Sequence, residues 1–255
     1  MLERRKGPPW YNSDVDSPGL LAQRRKRFER GAASAFQITR RDIDLVRHVA
    51  QHRLLRSTHL SALVAAPHKK ICDRLADLFH AGYLDRPRAQ LDYHVRNGGS
   101  MAMVYALDAR GARLLRDNPF TSASADIAFK KRDVRRPFVL HTLGIADLNV
   151  ALQVSLRRHH DLKLVTRDDL VAAHPQKTTL KRLQLGPDIV PDDLFELRDA
   201  SDRQRCYFVE VDRATMPVVR QESNANGRLD KSSILRKLMA YANARTRKLY
   251  RNQLG

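Results

Sequence analysis

Two carboxylates directly follow an apolar stretch in the C-terminal part of the chain. Residues 206–212 read Cys-Tyr-Phe-Val-Glu-Val-Asp, and this enrichment in aromatic and β-branched residues predicts a strand. Successive side chains of a strand point to opposite faces, so Glu210 and Asp212 are expected to share a face with Phe208. Two carboxylates about 7 Å apart on one face can hold a divalent cation. The alternative, that both acids are the solvated end of an ordinary strand, stays open.

Further residues of the same chemistry lie on either side of this stretch. Asp188 follows a proline in the short strand-like segment 186–190, and a helix near the C-terminal end carries Lys237 and Tyr241 one turn apart. Metal-dependent hydrolysis of a phosphodiester needs acids to hold Mg²⁺ and a lysine to orient the attacking water. We expect Tyr241 to contact phosphate. The predicted catalytic residues are Asp188, Glu210, Asp212 and Lys237.

One more acid lies in an apolar setting. Asp147 falls between Leu143 and Val150 on one stripe of a helix predicted over about residues 137–158. An acid in an apolar stripe needs a partner or a metal. We therefore predict Asp147 as a further metal ligand beside Asp188, Glu210 and Asp212, and a purely structural hydrogen-bonding role is the alternative.

The charge balance indicates the class of partner. The chain has 255 residues, enough for two modest domains, and carries 47 Lys and Arg against 28 Asp and Glu, a formal net charge of +19. Such a basic chain usually binds a polyanion, and nucleic acid is the expected one. No apolar run approaches the ~20 residues of a membrane span, and no apolar signal core follows the N-terminus. We expect a cytoplasmic protein with no membrane partner.

The first half has the element order of a winged helix-turn-helix domain. Thr39 is a good N-cap for a first helix, short helices follow over about 58–64 and 68–81, and two strand-like segments flank a turn at Asn97-Gly98-Gly99. In this order the third helix enters the major groove and the ribbon lies against the backbone. A protein-docking domain with a solvated basic helix is the alternative. The predicted DNA contacts are Lys69, Lys70, Arg74, Arg86, Arg88 and Arg96, together with Tyr241.

The domain organisation follows from composition and pattern. Residues 1–36 form a basic, Pro- and Gly-containing arm that we expect to be flexible, and residues 37–118 form the winged helix domain. Residues 119–135 begin with a segment rich in Ser, Thr and Ala and are the predicted linker. Residues 136–255 form a second domain with the order helix, three strands, helix. The predicted fold class is therefore mixed α+β or α/β.

Five motifs in this order resemble the replication-relaxation family. They are His52-Arg53-Leu54-Leu55, Arg74-Leu75-x-x-Leu78-Phe79-x-x-Gly82-Tyr83-Leu84, His141-Thr142-Leu143, Pro187-Asp188, and Phe208-Val209-Glu210-Val211-Asp212-Arg213-x-Thr215. The resemblance covers roughly residues 40–245 and implies a winged helix followed by a restriction-endonuclease-like αβββα domain. That core usually carries Pro-Asp and then acid-x-Lys, whereas this chain has Asp212 at the lysine position, so Lys237 is the expected substitute.

The resemblance also implies a function. The family is similar to plasmid mobilisation relaxases, so the chain is expected to bind double-stranded origin DNA, with other transfer or replication proteins as further partners, and to nick it with Mg²⁺. The alternative is a non-catalytic DNA-binding accessory protein or transcriptional regulator on a degenerate nuclease-like scaffold. The chain ends directly after its last helix, where the common core adds a strand, which is consistent with a truncated or non-cleaving member, and whether a partner completes that edge stays open. Oligomerisation stays open.

Overall fold

The computed structural model describes residues 26–31, 37–90, 101–118, 136–173, 190–213, 216–219 and 233–249. Within these ranges the protein is mixed α+β, with seven α-helices and two three-stranded antiparallel sheets. Several sequence predictions lie outside the described residues. They are Asp188, Arg96, the turn at 97–99, the linker 119–135 and residues 1–25 and 32–36 of the arm.

The first half forms helices around one small sheet. Its elements are α1 (Arg40–His52), β1 (Leu54–Arg56), α2 (Ser57–Val64), α3 (His68–His80), β2 (Leu84–Asp85), a short 3₁₀ helix (Arg88–Gln90), β3 (Val104–Leu107) and α4 (Ala109–Arg116). The sheet order is β1-β3-β2. The predicted helices are confirmed, whereas β1 was not predicted, and it turns the expected two-stranded ribbon into a three-stranded sheet.

Apolar stripes and one capping box explain this half. Thr39 accepts a hydrogen bond from the backbone of Asp42, while the Asp42 carboxylate accepts one from the backbone of Thr39, so both ends of the box are made. The apolar faces of α1 and α3 meet in a single buried cluster with residues from β1, β2 and β3. Burial of these stripes therefore fixes how the helices pack against the sheet.

Part of the basic arm packs on this domain. The Arg30 guanidinium pairs with Asp108, donates to the Leu84 carbonyl at 3.1 Å and lies 5.2 Å from the centre of the Phe79 ring. The Gly31 N–H donates to His80 Nδ1 at 2.9 Å. Residues 26–31 of the arm, which was predicted to be flexible, are therefore anchored near the C-terminal end of α3.

The second half has a helix, three strands and a helix, with one short helix inserted. Its elements are α5 (Arg136–Leu156), β4 (Leu162–Thr166), α6 (Arg167–Ala173), β5 (Asp193–Asp199), β6 (Gln204–Val209) and α7 (Ile234–Thr246). The sheet order is β4-β5-β6, with both pairs antiparallel. Leu194 and Phe208 of this sheet pack with Tyr241 and Ala244 of α7.

Helix α5 connects the two halves. Val139 and Leu143 are buried with Leu54, Val104 and Ala106 of the first sheet. The same helix also contacts β4 of the second sheet. Among the described residues it is the one helix long and apolar enough to cross a membrane by length and composition alone, a criterion that core helices of soluble proteins also meet.

One expectation about the C-terminal part is wrong. The strand predicted over 206–212 ends at Val209, and residues 204–207 are exposed because β6 is the outer strand of the sheet in the described part of the chain. Beyond Val209 the Val211 N–H donates to the Asp192 carboxylate at 2.8 Å, so a side chain replaces a strand partner. Leu238 and Met239 of α7 are 60% and 61% exposed.

Candidate functional site

Two acidic residues occupy neighbouring positions at one end of the β5–β6 hairpin. Asp193 pairs with Val209 in the ladder, and the Asp192 N–H donates to the Val209 carbonyl at 2.9 Å. Asp192, which follows Pro191, therefore lies next to Glu210 just beyond the last ladder pair. The sequence contains two Pro-Asp pairs four residues apart, at 187–188 and 191–192. The pairing of β5 with β6 brings the second of them, which sequence reasoning missed, to Glu210.

Helix α7 supplies two partners to Glu210. Lys237 Nζ donates to Glu210 Oε2 at 2.5 Å, and the Tyr241 hydroxyl donates to Glu210 Oε1 at 2.6 Å. Because Lys237 and Tyr241 are one turn apart, both can reach the same carboxylate from one face of the helix. Burial raises the pKa of Tyr241, and the hydrogen bond to Glu210 raises it further, so its hydroxyl stays a proton donor.

Asp192 is held from two sides. Its Oδ2 accepts the Val211 N–H at 2.8 Å, and its Oδ1 lies 3.0 Å from His141 Nε2. His141 belongs to α5, so this contact joins the site to the helix that packs on the first sheet. The resulting cluster of Asp192, Glu210, Lys237, Tyr241 and His141 combines two acids, one ammonium group and two further hydrogen-bonding groups.

Asp212 does not follow the alternation on which its assignment rested. Because β6 ends at Val209, the rule that residues two apart share a face no longer applies to Glu210 and Asp212. Asp212 is exposed beyond the strand. Its predicted role beside Glu210 therefore loses its geometric basis.

Asp147 lies at a different contact. Its carboxylate pairs with the Arg56 guanidinium and lies 2.8 Å from His59 Nε2, both at the N-terminal end of α2. Burial lowers the pKa of His59, although Asp147 acts in the opposite direction. The structural alternative for Asp147 agrees with these contacts, which connect α5 to α2 and involve neither Glu210 nor Lys237.

The acids can be compared with what Mg²⁺ requires. In the part of the chain that the structure describes, no group of three or more His, Cys, Asp or Glu side chains is arranged to hold a metal. Mg²⁺, however, is commonly bound by one or two carboxylates together with waters and substrate phosphate oxygens. The neighbouring carboxylates of Asp192 and Glu210 fit that donor set.

The predicted DNA contacts separate into two groups. Lys69 and Lys70 at the start of α3 and Arg88 in the 3₁₀ helix are exposed. Arg74, by contrast, donates through Nε and Nη2 to the two oxygens of the fully buried Asp42, each at 2.6 Å.

Arg86 is also part of the packing of the domain. Its guanidinium lies 4.2 Å from the centre of the Phe79 ring and donates to the Arg27 carbonyl at 2.7 Å and the Tyr105 hydroxyl at 3.2 Å. Arg74 and Arg86 therefore stabilise the first half of the chain. Sequence patterns did not show this because their partners are distant in the chain.

A protein-family model matches most of the chain. The family model described as replication-relaxation matches residues 46–252. We found no significant match among curated proteins or among solved structures. The matched range begins within α1 and includes both sheets and all of the candidate site, so the chain belongs to the replication-relaxation family.

Proposed function

We propose that this protein binds DNA during replication or mobilisation of a genetic element and nicks it in a metal-dependent reaction. The family points to a replication-related role. The observation that carries the catalytic part is the convergence of Asp192 and Glu210 at one end of a hairpin, with Lys237 on Glu210. Acids at the ends of two paired strands and a nearby lysine are the groups that metal-dependent phosphodiester cleavage needs.

The fold of each half supports this proposal. Three helices and a small sheet with an exposed lysine pair on α3 are what a winged helix DNA-binding domain requires. The order α5, β4, β5, β6 and α7 corresponds to the helix, three strands and helix of a restriction-endonuclease-like core, with α6 as an insertion. The formal charge of +19 favours contact with the phosphate backbone along both halves.

The residues would act as follows. Asp192 and Glu210 would hold Mg²⁺, which when bound polarises the phosphoryl group and neutralises developing charge. Lys237 orients the attacking water from the side of α7. Tyr241 donates to Glu210 and holds that carboxylate in position at the site. Asp188 lies outside the described residues and remains a predicted ligand that the same experiments can compare with Asp192.

The test is nicking of a supercoiled plasmid that carries the element's own origin, with Mg²⁺ or Mn²⁺. We expect open-circle product with the unaltered protein and its loss in Asp192→Asn, Glu210→Gln and Lys237→Met, with DNA binding kept. Asp161→Asn, at an exposed acid between α5 and β4, is the matched control. Nicking that survives Asp192→Asn and Glu210→Gln would refute the proposal. Loss of nicking only in Asp188→Asn would assign the metal ligand to Asp188 instead of Asp192.

The two contacts of Glu210 favour a second candidate function. Both oxygens of Glu210 are already engaged, one by Lys237 and one by Tyr241, as in a closed structural ion pair. This arrangement fits a non-catalytic DNA-binding accessory protein whose nuclease-like half serves as a scaffold. In that case the plasmid is bound but never nicked, and binding does not depend on Mg²⁺.

A further inference from the structure

His141 occupies a defined place at the candidate site. Its Nε2 lies 3.0 Å from Asp192 Oδ1, and the other oxygen of Asp192 accepts the Val211 N–H at 2.8 Å. Two donors from opposite partners fix the plane of a carboxylate, because each oxygen then has one preferred direction. The Asp192 side chain is only 17% exposed, so few waters can replace a lost donor.

Neighbouring contacts hold α5 close to this carboxylate. A Cβ atom on Gly144, three residues after His141 on the same helix, would lie 2.8 Å from Val211 Cγ1, so the helix and the end of β6 approach as closely as a glycine allows. At the start of α5 the Pro137 carbonyl accepts a hydrogen bond from Arg213 at 3.3 Å. Contacts before and after His141 on α5 therefore hold this residue against Asp192.

We propose that His141 is a positioning residue that orients Asp192 for metal binding. This inference rests on the proposed function, in which Asp192 is a ligand. The imidazole donates from Nε2 to Oδ1, so each oxygen of Asp192 has one donor and keeps a further lone pair for a metal ion. Hydrogen bonds to ligating carboxylates typically change metal affinity by about 10- to 100-fold when they are removed.

The contact contributes little to folding. The His141 side chain is 36% exposed, and polar contacts between partly exposed side chains stabilise proteins weakly. A change in metal affinity after substitution is therefore separable from a change in stability. Glutamine keeps a donor near the position of Nε2, whereas alanine keeps none.

The experiment compares the full-length unaltered protein with His141→Ala, His141→Gln and His160→Ala. His160 is an exposed histidine just after α5 and serves as the control. Mn²⁺ affinity is measured by electron paramagnetic resonance of the free ion, and hydrogen exchange of the Val211 amide is measured by NMR without metal. We expect His141→Ala to weaken Mn²⁺ binding about 10-fold and to accelerate Val211 exchange, and His141→Gln to restore most of both.

The two readouts separate this inference from the proposed function. If the unaltered protein binds Mn²⁺ and His141→Ala binds it equally well, the positioning role is overturned and the proposed metal site stands. If the unaltered protein binds no Mn²⁺, the proposed metal site fails. In that case faster Val211 exchange in His141→Ala, restored in His141→Gln, still supports the orienting of Asp192, and unchanged exchange overturns it.

Discussion

Replacing Arg74 separates a packing role from a DNA-binding role. Its guanidinium makes two hydrogen bonds of 2.6 Å to Asp42, a side chain with 0% exposure that also accepts the Thr39 N–H at 2.6 Å. Removing one partner of a buried ion pair costs about 3–5 kcal/mol. Because the Arg74 side chain is itself 25% exposed, water can reach part of the space, so we expect the lower end of that range for Arg74→Ala.

The assay is urea denaturation followed by far-UV circular dichroism, with a thermal melt. A loss of about 3 kcal/mol corresponds to a Tm lowered by about 6–12 °C for a chain of this size. Arg74→Lys should recover only part of the loss, because an ammonium group cannot make the paired contact. Lys70→Ala, on an exposed position of the same helix, is the control.

The pH dependence provides an internal check on the same ion pair. Burial raises the pKa of Asp42, but the hydrogen bonds from Arg74 and Thr39 outweigh it, and the pKa is lowered from its ordinary value of 3.8. The stability from this pair is therefore present above about pH 4 and is lost as the pH falls through the lowered pKa. The stability difference between the unaltered protein and Arg74→Ala should shrink in acid. A Tm within about 1 °C of the unaltered protein, together with weaker DNA binding, would refute the packing role.

Three further predictions concern the surface, the site and two half-buried histidines. Replacing both Lys69 and Lys70 by Ala should reduce the slope of log Kd against log salt for duplex DNA by about 2, with stability unchanged; an unchanged slope would remove α3 from the interface. Gly144→Ala should cost about 1–3 kcal/mol in urea denaturation, because the added Cβ would lie 2.8 Å from a valine methyl group; a neutral effect would show that α5 can move away from β6. Burial lowers the pKa values of His48 and His52 from 6.5 to about 4. Between about pH 6.5 and 4 the unfolded chain therefore takes up protons that the folded chain does not. As the pH falls through that window, the free energy of unfolding should decrease by up to about 3 kcal/mol per histidine. In the His48→Gln, His52→Gln double variant the urea midpoint should vary less with pH over the same window, and an equally steep dependence would assign it to other groups.

Local signals were sufficient for most of the helices. Thr39 and the apolar stripe after it predict the start of α1, and the stripe from Ile71 to Phe79 predicts α3, because a cap and a 3.6-residue period act within one segment. Strand β1 has only three residues, which is too short for any period to be read. Its existence depends on pairing with β3, a contact between distant segments.

Contacts between distant segments also explain what local patterns did not show at the site. Two Pro-Asp pairs have the same local pattern, and it is the register of β5 against β6 that brings Asp192 next to Glu210. The polar side of α3 contains Lys70 and Arg74 alike, but Asp42, which lies 32 positions before Arg74, engages only the arginine. Lys237 and Tyr241, in contrast, were correctly expected to share one face, since their spacing of four residues is a property of the helix itself.

The position of α5 affects how this protein can be divided. A fragment that ended in the segment 119–135 would lose Val139 and Leu143 and would leave Leu54, Val104 and Ala106 uncovered. The apolar surface left without its cover would favour aggregation of such a fragment. A DNA-binding fragment is therefore expected to be soluble only when it extends through α5, and exchange of the second half between related proteins would require a matching surface on the first sheet.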